Sequence, residues 1–126
     1  MHSNSIAINV EGETLYVHIR PAARSLLMEL LKMQAANILR VGVWTAATKR
    51  YAEKVLKVLL GPRGLRHLSF IYTRANCDQV PSRDGQPRYI KPLIKYFPRS
   101  RRVVLLDDNE DNIKINRSMG YTVIHV

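Results

Sequence analysis

Along this chain short apolar runs rich in β-branched residues take turns with longer stretches whose apolar residues recur every three or four positions. That change of period implies strands alternating with amphipathic helices, and the architecture that buries both is an α/β fold built on a parallel sheet. Ile6–Val10 and Thr14–Ile19 flank Glu11-Gly12-Glu13 and predict an N-terminal β-hairpin turning at the glycine. Pro21 suits the first turn of a helix, and Leu26, Leu27, Leu30, Leu31 and Met33 give it an apolar stripe over 21–36. Ile38 to Trp44 reads as a buried strand ending at Thr45. The stripe Tyr51, Val55, Leu56, Val58 and Leu59 predicts a second helix, stopped by Gly61-Pro62. Leu68–Tyr72 is the next strand, and the polar stretch 76–90 is expected as a surface loop leading to a short helix near Lys91–Phe97. Val103–Leu106 predicts a buried strand, Ile113–Met119 a helix stopped by Gly120, and Tyr121–Val126 a final strand. The 126 residues are expected to form a single domain.

Charge narrows the partners. Lys and Arg number 20 against 10 Asp and Glu, a net charge of +10, which favours acidic protein faces, phosphate groups or RNA, or else serves only solubility. Lys49, Arg50, Arg63, Arg66, Arg99, Arg101 and Arg102 are the candidate polyanion contacts. Aromatic residues make up only 7%, so base stacking is not signalled. The single cysteine, Cys77, excludes an internal disulfide framework and a multi-cysteine zinc site. No apolar run approaches the ~20 residues of a membrane span, and the first residues lack the basic and apolar regions of a secretory signal. The expected location is intracellular, in the nucleus or cytoplasm, with the mitochondrion as an alternative.

Four of the ten acidic residues, Asp107, Asp108, Glu110 and Asp111, crowd into five positions directly after an apolar strand. Their mutual repulsion calls for a nearby cation or a helix N-terminus. At the carboxyl end of a parallel strand, where open α/β folds place ligands, Asp107 and Asp108 suit Mg²⁺, with capping of the next helix as the other reading. Thr45-Ala46-Ala47-Thr48 gathers a hydroxyl and several backbone N–H groups between a strand and a helix, which suits an anion, although threonines there also serve as caps. Lys91, after the polar loop, is a cation that could reach a phosphate from the side, or a solvated surface lysine.

The ordered set Ile19-Arg20-Pro21, Trp44-Thr45-Ala46-Ala47 with Tyr51-Ala52, Arg74 and Cys77, Tyr89-Ile90-Lys91, and Leu106-Asp107-Asp108-Asn109 resembles one known pattern over roughly residues 14–112. It is similar to the phosphatases of the RNA polymerase II C-terminal domain, their small relatives and the nuclear LIM-interactor-interacting-factor-like proteins, a family of the haloacid dehalogenase superfamily. The resemblance implies a Rossmann-like parallel sheet, truncated here at both ends, and Mg²⁺-dependent hydrolysis of phosphoserine or phosphothreonine in proteins. It implies phosphate binding by Thr45 and Lys91, and metal binding by Asp107 with Asp108 acting through water. Arg74 and Cys77 match positions with no assigned chemistry; Arg74 reads as a strand-edge cap and Cys77 as a small buried apolar residue.

One departure bears on activity. Family catalysis uses an Asp-x-Asp segment whose first Asp attacks phosphorus and whose second protonates the leaving group. No Asp-x-Asp occurs in these 126 residues. The chain is expected to begin after that segment, and Glu11 and Glu13 are turn carboxylates that could mimic it only loosely. The expectation is therefore a catalytically degenerate, phosphatase-like binding or structural module, within an oligomer or a larger ribonucleoprotein or protein assembly, with weak Mg²⁺ affinity. The alternative is an active Mg²⁺-dependent phosphatase whose nucleophile lies on another segment.

Overall fold

A computed structural model describes residues 5–18, 21–82, 84–99 and 102–126. It is an α/β structure whose strands pair two by two: β1 (Ser5–Val10) with β2 (Glu13–His18), β3 (Gly42–Trp44) with β4 (Phe70–Tyr72), β5 (Asp78–Val80) with β6 (Arg88–Ile90), and β7 (Val104–Asp107) with β8 (Thr122–His125). The first and third pairs are antiparallel, the second and fourth parallel. Three helices, α1 (Pro21–Ala35), α2 (Lys49–His67) and α3 (Glu110–Ser118), complete the described elements. The expected parallel pairing is thus present in two βαβ units, β3-α2-β4 and β7-α3-β8. Among the described residues each pair stands as its own two-stranded sheet, so the single continuous sheet of the sequence reading is not seen. The chain falls into two compact units, Met1–Arg74 and Ala75–Val126. Among the described residues no helix is long and apolar enough to cross a membrane.

In the first unit the hairpin turns where expected, with Glu11 and Gly12 both at positive φ. The core is the apolar face of α2, Leu56, Leu59 and Leu60, against Leu27 and Leu31 of α1, Val43 of β3 and Ile71 of β4. Gly61-Pro62 stops the helical backbone as predicted: Gly61, at φ 75° and ψ 167°, is not helical, and beyond this kink Pro62 starts a further helical stretch to His67. Proline fits there because the first residue of a helical segment needs no N–H donor. The break leaves carbonyls without helical donors, and the Arg24 guanidinium supplies them, Nε donating to Leu59 O at 2.9 Å and Nη2 to Val58 O at 3.2 Å.

The strand predicted from Ile38 begins only at Gly42. Asn37 takes a left-handed conformation, φ 61°, and the Ile38 and Asn37 amides donate to Met33 O and Gln34 O, the paired bonds that close a helix C-terminus. Ile38 is thereby spent on the cap of α1 and lies 71% exposed. Gln34 then ties the strand entrance to the end of α2, accepting from Val41 N at 2.7 Å and donating to His67 O at 2.6 Å.

In the second unit Leu93, Ile113, Tyr121 and Val123 form the buried apolar set. The loop expected over 76–90 carries β5 and β6 at its ends, and the helix expected near Lys91–Phe97 is a single 3-10 turn at Leu93–Lys95. β7 is buried on one face only: Leu105 and Asp107 turn inward with Val123 of β8, whereas Val104, Leu106 and Ile124 are exposed. α3 ends as predicted at Gly120, φ 86°, with Tyr121 N donating to Asn116 O.

Candidate functional site

Asp107 is the last residue of β7, and the turn into α3 fixes its carboxylate. Oδ1 accepts from Asn109 N at 2.9 Å, and Asn109 in turn caps α3 by accepting from the Asp111 and Asn112 amides. The cap is thus an asparagine, with Glu110 and Asp111 in the first turn where the helix dipole favours acids. Lys91 follows β6, and its Nζ donates to Asp107 Oδ2 at 2.9 Å; the two side chains are 14% and 5% exposed. Asn112 Nδ2 donates to the same oxygen at 3.1 Å. Burial pushes the Asp107 carboxyl up, but the Asn109 amide, the Lys91 ammonium and the Asn112 amide together outweigh it, so its pKa lies below the usual carboxylate value. The site is a buried, charge-neutral pair with a lysine at its rim. The remaining acids are dispersed: Asp108 and Glu110 are exposed and Asp111 pairs with Arg88 at 2.8 Å.

Thr45 belongs to the first unit. Its N–H donates to Tyr72 O and its Oγ1 accepts from Ala47 N at 3.1 Å, so the hydroxyl organises the turn between β3 and α2. Thr48, at the start of α2, makes no side-chain cap bond. Arg74, for which the sequence suggested only an edge cap, closes this turn: its Nε donates to Ala46 O and its N–H to Ala47 O, both at 2.9 Å. Cys77 is buried, in keeping with its reading as a small apolar residue.

The predicted polyanion contacts separate into classes. Lys49 pairs with Glu53 at 4.0 Å and Arg50 with Glu11 at 3.2 Å, which also leaves Glu11 as a solvated turn carboxylate. Arg63, Arg66 and Arg99 are exposed with no ion pair among the described residues, as are Arg40 and Lys57, which the sequence reading did not single out. Arg102 is exposed. Arg101, and the Ile19-Arg20 step before α1, lie outside the described residues.

Mg²⁺ needs one or two reachable carboxylates plus waters and phosphate oxygens. Asp107 has both oxygens engaged by protein donors, Asp108 is exposed, and among the described residues no three His, Cys, Asp or Glu side chains gather.

A family model described as NLI interacting factor-like phosphatase matches residues 1–125. The chain belongs to that family. No curated protein matches the chain. Membership makes this an α/β domain of a phosphatase family that is generally Mg²⁺-dependent, and it agrees with the motif order read from the sequence. Within the site, sequence reasoning found Lys91 and Asp107, which the fold brings into contact, and missed Asn112 and Asn116. The available signal was their spacing: two asparagines four apart flank Ile113 on what must be the buried side of α3.

Proposed function

We propose that this chain is a phosphatase-family domain that recognises a phosphorylated or strongly acidic protein segment without hydrolysing it. The observation that carries this reading is the pairing of Lys91 with Asp107 at 2.9 Å in a chain that contains no Asp-x-Asp. An ammonium has three donors, and Asp107 uses one; a phosphate oxygen could accept from another, since the Lys91 side chain keeps some exposure. Asp107 accepts three hydrogen bonds through its two oxygens, an arrangement that holds a counter-ion in place and blunts a nucleophile. The exposed cations Arg99 and Arg102 of the same unit add long-range attraction for an acidic partner.

Calorimetric titration with a phosphoserine peptide, its unphosphorylated form and a single-stranded RNA tests the reading. The phosphopeptide should bind, the unphosphorylated peptide at least tenfold more weakly, and Lys91→Met should abolish the difference. Equal binding of the two peptides, or RNA binding alone, would replace phosphate recognition by a purely electrostatic surface.

A second reading is favoured by the strand pairs. Parallel sheets are found as multi-stranded, doubly covered structures, and a two-stranded pair is marginal. Among the described residues β3 and β7 each pair on one side only, and Val104, Leu106 and Ile124 are exposed on the face of β7 and β8. A strand carrying Asp-x-Asp from another segment or chain could add to such an edge and supply the nucleophile. Turnover appearing only when a synthetic apolar Asp-x-Asp strand is mixed with the chain would support it.

A further inference from the structure

Lys91 sits in a stretch that regular structure does not hold. β6 ends at Ile90, Pro92 has no N–H, and the 3-10 turn begins at Leu93. Buried backbone donors and acceptors must nevertheless be paired. Here two side chains of one helix do it. Asn112 Oδ1 accepts from Lys91 N at 2.9 Å, and Asn116 Oδ1 accepts from Leu93 N at 2.8 Å. Asn116 Nδ2 donates to Lys91 O at 2.9 Å and to Asn112 O at 2.8 Å, while Asn112 Nδ2 reaches Asp107 Oδ2. Asn112 and Asn116 are 2% and 0% exposed, and both are the polar residues least expected in the interior of a short helix, where asparagine is a poor helix former and an apolar side chain would fill the space.

We infer that Asn112 and Asn116 are the positioning residues of Lys91: spaced one helical turn apart on α3, they grip the backbone on both sides of the lysine and aim its ammonium at Asp107. The geometry separates this role from plain packing. Asn112 bonds the lysine's own amide and also its counter-ion, so backbone and carboxylate are registered to the same side chain. Asn116 bonds the lysine carbonyl and the amide two residues on, so rotation of the Lys91–Leu93 stretch is blocked at both ends. The whole constellation lies on a helix whose N-cap, Asn109, also bonds Asp107. α3 therefore carries the complete support of the pair. The inference rests on the reading of Lys91 as a phosphate contact only for its consequence in binding; the positioning itself is independent of any ligand.

The test uses the full chain and three variants: Asn116→Leu, the milder Asn112→Ser, and Ile113→Ala as a control that damages the same helix through a buried apolar residue and removes no hydrogen bond to the Lys91 stretch. Two readouts are taken. The first is the rate at which acetic anhydride modifies Lys91, measured peptide by peptide against exposed Lys57. The second is affinity for inorganic phosphate by calorimetry. Lys91 should react about tenfold faster in both asparagine variants, and phosphate affinity should fall about tenfold, the scale of one lost charge-assisted contact. Ile113→Ala should lower stability and leave Lys91 as protected as in the parent. If Asn116→Leu does not fold, Asn112→Ser decides by the same two readouts. Unchanged Lys91 protection in the folded asparagine variants, or equal deprotection in Ile113→Ala, would overturn the positioning role. Faster modification of Lys91 in a protein that binds no phosphate would uphold the positioning role and remove the phosphate reading instead.

Discussion

Replacing Lys91 by methionine keeps the length of the side chain and removes its charge, leaving Asp107 buried with two of its three donors. At 2.9 Å the attraction between the two charges is about 6 kcal/mol for an effective dielectric near 20, part of which offsets the cost of taking both from water. Losing one partner of such a pair typically costs ~3–5 kcal/mol. The Asn109 and Asn112 amides remain, so the lower end, about 3 kcal/mol at pH 7, is expected for the second unit. The pH dependence follows from the sign of the shift. The folded Asp107 carboxyl lies below the ordinary value, so the pair's contribution is fully present above the unfolded carboxyl pKa of ~3.9 and is lost as pH falls through the folded one. In the variant, burial is no longer opposed by the ammonium, and the carboxyl takes up a proton well before the parent does. The penalty should therefore be smaller near pH 4 than the ~3 kcal/mol expected at pH 7. Hydrogen exchange of the α3 and β7 amides measures this locally, which suits a chain with two units better than a single global transition. Adding Asp107→Asn should recover most of the loss at pH 7. A loss below ~1 kcal/mol at pH 7, or one of equal size at both pH values, would refute the reasoning.

Two further outcomes follow from the first unit. Arg24→Leu should destabilise it by roughly 1–2 kcal/mol in urea denaturation, with faster exchange confined to the amides near the Gly61 break, because the Val58 and Leu59 carbonyls lose their donor. Gly42→Ala should cost ~1–2 kcal/mol, since a methyl group there would enter the space of the Phe70 ring, which is cross-strand from it and stacked on Tyr72 with centroids 4.4 Å apart; Phe70→Leu in the same chain should restore much of the loss, as read by thermal unfolding.

The order of strands and helices was legible because the longer elements keep one period: α1 and α2 carry their apolar residues at helical spacing, and Gly120 announces the end of α3. What escaped has local causes. Asn37 does the work of a C-terminal glycine, and nothing in its neighbours distinguishes it from an ordinary loop asparagine, so the sequence pattern starts the strand after α1 four residues before Gly42. β5 and β6 have three residues each, with Asp78, Gln79 and Arg88 exposed, too short and too polar to show a period of two. Gly61-Pro62 reads as a terminator and does break the helix, but the further stretch to His67 and the donation by Arg24, distant in sequence, to the carbonyls that the break frees leave no mark in the local pattern. At the site Lys91 and Asp107 were each readable from residue type and motif order, as a phosphate contact and a metal ligand, but their pairing was not. Nor was its support, because the bonds of Asn112 and Asn116 run to the backbone of residues more than twenty positions away, where sequence pattern carries no record of them.

The central claim is that the Lys91–Asp107 pair binds phosphate without hydrolysing it. The most direct measurement is phosphate release from a phosphoserine peptide by the purified 126-residue chain in the presence of Mg²⁺, run beside a metal-only control under conditions in which calorimetry shows the peptide bound. The account predicts saturable binding that Lys91→Met removes, with release no faster than the control. Release above the control that co-purifies with the chain and disappears on Asp107→Asn would contradict it.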